Sequence, residues 1–373
     1  MAAKKAYKKN EIPYATQIFT PDWIVKYMIE NTIGRYWLEN SDNSVDSLNF
    51  KYLIKENIYK TGKKIQPTDI EFIDPCCGSG HILVYAFEVL FKIYIQAGYN
   101  KKDIAKLILK NNIYGLDIDD RAGQLSILSL LLKAREYDKN IFNDLIIENV
   151  KIMSVQESNY ISKSTLENVN YKETEKQELN YLIENFKDAK DIGSLLKLEK
   201  KDYIALENTI NNDNTIFGIE LKQKILPLIK ISKMLTKKYD VVVTNPPYMG
   251  SGIMNEHLKT YLKKNYADSK QDLCTAFMEV EFVKDAGYLS MINQQAWMFL
   301  TSFDKLREKI IKNKSIVSLA HLGFGTFGAD FGTTTFVIKN SEETKQGIYF
   351  RLVDYKSCSS KEEKFLEMLE NKE

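Results

Sequence analysis

The chain has 373 residues, 44% hydrophobic and 27% charged, the balance of an ordinary folded protein with enough apolar material for a sizeable core. Lys plus Arg number 52 against 50 Asp plus Glu. A grip on DNA through phosphates alone calls for a more basic chain than the formal net charge of +2, so the charge neither supports nor excludes nucleic acid, and a local basic face stays open. Four cysteines without a C-x-x-C pair and three histidines exclude a structural zinc site, and no metal is expected; sparse cysteine, no membrane-length apolar run and a start (MAAKKAYKKN) unlike a signal peptide point to the cytoplasm.

Residues 1–20 are polar and read as irregular. A helix is predicted from Thr20-Pro21-Asp22, with Thr20 as N-cap and Pro21 at the first helical position. Ile24, Val25, Tyr27, Met28 and Ile33 give it an apolar face. Residues 40–69 are polar and mixed. From Ile70, IEFIDP reads as a buried strand, GHILVYAFEVLFKIYIQAG as a long buried helix and KKDIAKLILKN as another helix. IYGLDID is a second strand, DRAGQLSILSLLLKAREYDKN a helix, and NVKIMS a third strand. Strands alternating with helices predict an α/β fold with a parallel sheet covered on both faces. Residues 160–236 interrupt the alternation and read as a helical insertion. YDVVVTNPPY resumes it as a fourth strand, and GYLSMIN, SIVSLAHLG and TTTFVIKN read as three more. LCTAFMEVEFVKD and FDKLREKIIKN are predicted helices, and KEEKFLEMLENKE a charged, fraying one. The expected division is an N-terminal helical segment (1–69), one half of the sheet (70–159), the insertion (160–236), the other half (237–340) and a tail (341–373).

Asp74-Pro75-Cys76-Cys77-Gly78-Ser79-Gly80 lies between a predicted strand and a predicted helix, where an open α/β sheet binds nucleotide-like ligands. Glycines there let the backbone approach the ligand. Asp117, ending the second strand, offers a carboxylate for two ribose hydroxyls. The third glycine of a dinucleotide fingerprint and the G-K-[ST] of a P-loop are both missing. A ligand with ribose and adenine but no phosphate fits better, and S-adenosylmethionine is such a ligand. Asp74 would face its ammonium group.

Thr244-Asn245-Pro246-Pro247-Tyr248 follows the apolar strand VVV. Prolines fix φ and remove two backbone donors. The Pro246 carbonyl and the Asn245 side-chain carbonyl then converge as two acceptors suited to an amino group, with Tyr248 as a flat face for stacking. The bland alternative for each motif alone is a tight turn. The two together, in this order, argue against it.

These motifs together resemble the gamma-type N6-adenine DNA methyltransferases. Ala15-Thr16-Gln17-Ile18-Phe19-Thr20-Pro21 resembles that family's N-terminal T-P element, Asp74 to Gly80 its cofactor loop, and Asn245 to Tyr248 its catalytic turn. TQIFTPDWIVKYMIENTIGRYW, NPPYMGSGIMN, YADSKQDL, GYLSMINQQAWMFL, HLGFGTFG and FKDAKDIGSLL resemble one subgroup, the PglX methyltransferases of BREX phage-defence systems. The resemblance implies a class I S-adenosylmethionine-dependent methyltransferase: a Rossmann-like, mostly parallel sheet of seven strands, the last antiparallel. It implies methyl transfer to the exocyclic amine of an adenine flipped out of double-stranded DNA. Asn245, Pro246, Pro247 and Tyr248 would be catalytic. Thr16, Phe19, Thr20, Pro21, Asp74, Pro75, Cys76, Gly78, Gly80, Asp117 and Ile118 would hold the cofactor. Phe324, Phe327 and Phe331 are candidates for stacking on the flipped base. Cys76 and Cys77 are read as packing residues, His81 as a loop residue near the cofactor without a catalytic role, and the lysines of 259–270 as a solvated helix face. Asp272 is expected to support the catalytic turn.

The sequence departs from the family in two places. The acid expected just after the third strand is not there in KIMSVQES, whose strand runs directly into Ser154, Val155 and Gln156, so Ser154 or Gln156 is expected to stand in, or the contact to come from elsewhere. The resemblance also implies a recognition region after the catalytic domain, and little follows residue 340. Sequence-specific DNA reading is therefore expected to be absent, or supplied by a separate recognition subunit or another phage-defence protein. Two other readings stand beside methylation of DNA: a cofactor-binding module inactive without partners, and a protein-glutamine methyltransferase, which also uses N-P-P-Y.

Overall fold

The protein is described by a computed structural model covering residues 19–142, 150–161, 170–327, 331–342 and 346–371. The chain enters through α1 (Asp22–Ile29), which runs on through a π-helical turn (Glu30–Gly34) into α2 (Arg35–Glu39). Pro21 is the N-cap of α1, where Thr20 was expected. The Pro21 carbonyl accepts from the Ile24 and Val25 amides at 3.0 and 3.2 Å, and no side chain caps the helix. Residues 40–69 look polar in sequence, yet Leu48, Phe50, Tyr52, Leu53 and Ile54 are buried.

The alternation then runs β1 (Phe72–Asp74), α3 (His81–Gln96), α4 (Lys101–Asn111), β2 (Ile113–Asp117), α5 (Asp120–Tyr137) and β3 (Lys151–Ser154). The insertion is helical, with α6 (Glu173–Asn185), α7 (Ala189–Ile192), α8 (Ile204–Asn212) and α9 (Ile216–Leu235). After it come β4 (Tyr239–Thr244), α10 (Glu256–Asn265), α11 (Leu273–Ala276), β5 (Val283–Gln294), α12 (Asp304–Asn313), β6 (Ser315–Gly323), β7 (Thr333–Lys339), β8 (Ile348–Arg351) and α13 (Cys358–Asn371).

Among the described residues the strands form one sheet, ordered β3-β2-β1-β4-β5-β7-β6-β8. β7 runs antiparallel between β5 and β6, and β8 adds in parallel to β6. The fold is the expected α/β class. The strand number is eight rather than seven, because a short edge strand precedes the tail helix. The predicted helix LCTAFMEVEFVKD is also shorter than expected: it ends in a 3₁₀ turn at Glu279, and Val283 already belongs to β5. A left-handed Ala286 (φ 60°) interrupts the pairing of β5 near its start.

Strand side chains alternate between two apolar clusters, one per sheet face. Ile73, Tyr114, Leu116, Val242, Leu289, Met291 and Phe336 pack under the insertion, sharing a cluster with Leu179, Leu182, Phe186, Leu206, Ile225, Leu228 and Ile229. Phe72, Ile113, Val241, Val243, Ile292 and Val337 pack against α1, α3, α4, α5 and α13 on the other face. The tail is docked rather than frayed: Phe365 is fully buried against Trp23, Tyr27 and Phe350, and Trp23 Nε1 donates to Cys358 Sγ at 3.2 Å. None of the described helices is long and apolar enough to cross a membrane.

Candidate active site

The carboxyl ends of β1, β2 and β4 meet where the strand order turns from β1 to β4, the crevice in which open α/β sheets bind ligands. The loop after β1 is pinned to β2 by the Cys77 amide, which donates to the Leu116 carbonyl at 2.9 Å. Gly78 (φ 51°) and Gly80 (φ 87°) both take left-handed backbone. They serve different ends. A Cβ on Gly80 would stand 2.7 Å from Ser126 Oγ, so Gly80 lets the loop lie against α5. A Cβ on Gly78 would meet nothing within 4 Å, so that residue faces open space. The Gly78 amide donates to Asp117 Oδ2 at 2.8 Å and the Asp119 amide to Oδ1 at 2.9 Å, which fixes the carboxylate that ends β2.

These groups open on a cavity of about 570 Å³, the size that holds a small organic ligand. Phe19, Thr20, Asp74, Pro75, Cys76, Gly78, Asp117, Ile118, Asn245 and Pro247 all line it. Pro21 and Gly80 stand behind the wall as helix cap and packing glycine, and Pro246 and Tyr248 do not line the cavity. Thr16 lies outside the described residues.

Asp74 is 1% exposed, and burial pushes its carboxyl up to about 7, with the nearby Asp117 adding to the shift. Its Oδ1 accepts from the Cys76 amide at 3.0 Å, while Oδ2 has no hydrogen-bond partner among the described residues. Burial raises Asp117 as well, against the opposing pull of the Asp119 and Gly78 amides. The Cys76 and Cys77 thiols are pushed well up by burial and by the two carboxylates, which favours the protonated form and fits their reading as packing residues. His81 also lines the cavity, its ring 4.6 Å from that of Phe19. Burial pushes its imidazole down, and its buried Nε2 lacks a partner among the described residues.

The N-P-P-Y turn is held from two sides. Asn245 Nδ2 donates to the buried Thr20 Oγ1 at 3.0 Å, which orients the amide and explains why Thr20 does not cap α1. Past the turn, the Leu273 amide donates to the Met249 carbonyl at 2.9 Å, and Gly250 bridges to Asp272. Asp272 Oδ1 caps α11 through the Cys274 amide at 3.0 Å, so the QDL segment braces the turn. Tyr248 is buried, and its hydroxyl donates to the Ile292 carbonyl at 2.9 Å. Its ring centroid is 5.4 Å from that of Phe331 and 6.1 Å from that of Phe327, whereas Phe324 is exposed. The three aromatics expected around a flipped base are thus split: two already cover Tyr248 and one faces solvent.

Sequence reasoning missed a wall of the cavity. Lys190, Asp191, Ile192, Gly193 and Ser194 come from the insertion, and Ser194 Oγ donates to the Pro75 carbonyl at 2.5 Å. They belong to the phrase FKDAKDIGSLL, which stood out only as a resemblance. The expected stand-ins after β3 are turned away: Ser154 Oγ donates to the Asp119 carbonyl at 3.2 Å and Gln156 Nε2 to Asp120 Oδ1 at 2.7 Å, and neither residue lines the cavity.

The chain is similar to known proteins along nearly its whole length. The adenine-specific methyltransferase BrxX of Escherichia coli O9:H4 (strain HS) is 36% identical over 94% of this chain and 33% of its own length. The adenine-specific methyltransferase PglX of Lacticaseibacillus casei (strain Zhang) is 35% identical over 99% of this chain and 33% of its own length. The likeness to the PglX group is therefore borne out, and the chain spans about a third of the length of these relatives. In fold, it superimposes with a TM-score of 0.55 at 14% identity on the ATP-dependent Type ISP restriction-modification enzyme LlaBIII bound to DNA, covering 94% of this chain and 21% of that one. A family model, the Eco57I restriction-modification methylase, matches residues 111–327, more than half of the chain, and this protein belongs to that family.

Proposed function

We propose that this chain forms the cofactor-binding and catalytic part of a DNA adenine-N6 methyltransferase that uses S-adenosylmethionine. One observation carries the reading: the N-P-P-Y turn, through Asn245 and Pro247, opens on the same cavity as the glycine loop and Asp117. The donor set fits that cofactor. The partnerless Asp74 Oδ2 suits an ammonium group, the Asp117 carboxylate suits ribose hydroxyls, and the open side of Gly78 leaves room for a ligand. When bound, S-adenosylmethionine supplies an electrophilic methyl group.

The chain supplies the rest. Asn245 Oδ1 and the Pro246 carbonyl accept from the adenine amine and draw its lone pair into line. These contacts matter most as the nitrogen changes geometry, which is where binding energy accelerates a reaction. Tyr248 stacks on the base once Phe327 and Phe331 give way. The substrate is duplex DNA with the target base flipped out, at a cost of a few kcal/mol. The setting this fits is cytoplasmic marking of host DNA in phage defence, with partner proteins or a separate recognition subunit completing the site reading.

The test is methyl transfer from labelled cofactor to duplex and to denatured DNA, followed by mass spectrometry of the digested nucleosides. The expected product is N6-methyladenine, with Asn245→Ala lowering its yield by about 10²-fold or more. Label appearing in protein glutamine instead would overturn the reading. Cofactor binding without transfer to either DNA would favour a module that needs partners to act.

A further inference from the structure

We propose that Asp191, carried into the cavity by the insertion, is the acceptor for the exocyclic amine of the cofactor's own adenine, and so determines which nucleoside the pocket takes. The inference rests on the reading of the cavity as the cofactor site. Asp191 lines that cavity, and its side chain is only 10% exposed. Oδ2 is engaged by His257 Nδ1 at 3.0 Å, while the buried Oδ1 has no hydrogen-bond partner among the described residues. A buried carboxylate oxygen left without a donor is costly, and a ligand that brings an N–H relieves the cost.

The position of Asp191 selects which N–H. The cofactor carries three kinds of donor: an ammonium, two ribose hydroxyls and the adenine amine. Asp74 and Asp117 serve the first two. Ile118, the next residue after Asp117, lines the cavity with an apolar side chain suited to the face of a base whose ribose Asp117 would hold. Gly193 of the insertion abuts Ile118 so closely that a Cβ would stand 2.7 Å from Ile118 Cγ2. Asp191 is two residues away on this tight segment and lines the same cavity as Ile118. Lys190 beside it is occupied by Asp120 at 2.8 Å and does not neutralise Asp191. After β3, Ser154 and Gln156 are turned away from the cavity, and Glu157 accepts from the Lys190 amide at 3.2 Å without lining it, so the insertion supplies the carboxylate. His257, at the start of α10 just past the catalytic turn, holds Asp191 in orientation as a positioning residue.

The experiment is calorimetric binding of two demethylated cofactor products to the whole chain. These are S-adenosylhomocysteine and its 6-oxo analogue S-inosylhomocysteine, which presents an oxygen where the amine stood. The wild type is expected to prefer the adenosyl compound by about tenfold, the worth of one charge-assisted hydrogen bond. Asp191→Asn keeps the shape and can donate to the 6-oxo group, so the preference is expected to vanish or reverse. His257→Ala is expected to reduce it partway. An Asp191→Asn protein with unchanged preference overturns the proposal, even if both ligands bind more weakly. A wild type that binds neither compound removes the cofactor reading of the cavity and this inference with it. A wild type that binds both, weakened equally by Asp117→Ala, leaves the cofactor reading standing while Asp191 is judged by the ratio alone.

Discussion

Asp74 combines a buried carboxyl with an unmet oxygen, and its titration gives a prediction with a definite sign. Its carboxyl is pushed up to about 7, above the usual value near 4. Between those values the folded chain holds a proton that the unfolded chain has lost, so stability contributed by the neutral acid falls as pH rises and is gone above 7. A ligand ammonium favours the ionised form, so affinity for S-adenosylhomocysteine should rise across the same window. Calorimetry and thermal melts from pH 5 to about 8 should show both slopes, and Asp74→Asn should flatten them; an unchanged slope would assign the proton to another group. Asp117→Ala should weaken the same ligand by about tenfold or more, through lost ribose contacts. Equal affinity in both proteins would take Asp117 out of the site. Asp74, Asp117 and Asn245 were readable in the sequence because each sits at a fixed offset from a strand end. Asp191 was not, because it reaches the cavity by a tertiary contact between Gly193 and Ile118, which no local spacing encodes.

At the scale of elements, the central strands and their helices were legible because buried parallel strands read as short apolar runs and the helices as long periodic ones. β8 was not, since IYFR is four residues long and only Phe350 of it is buried. The charged sequence of the tail helix reads as frayed, yet one fully buried phenylalanine, Phe365, anchors it. Phe365→Ala should cost about 3 to 5 kcal/mol through the lost burial and the cavity left behind. Urea unfolding monitored by tryptophan fluorescence checks this, since Trp23 lies against Phe365 with ring centroids 5.6 Å apart. A loss below about 1 kcal/mol would mean that the helix contributes little to the fold.

For the whole molecule, the near balance of 52 basic and 50 acidic residues limits what phosphate attraction can supply. The 373-residue chain should bind random duplex DNA weakly, with log affinity falling only shallowly against log salt, by a slope of about −0.9 per phosphate neutralised. A titration across salt concentrations measures that slope, and a steep one would reveal a concentrated basic face that overall composition conceals. The topology that separates the motifs has a further practical outcome. The insertion's buried side chains belong to the same apolar cluster as the sheet, and its Ser194 hydroxyl is bonded to the glycine loop. Anyone recombining such enzymes therefore cannot treat residues 160–236 as a cassette. A hybrid that exchanged this stretch alone would set an unmatched surface over Leu116 and Val242 and break open one wall of the cavity. The exchangeable piece is the insertion together with the strands it covers, and crossovers belong outside that joint unit.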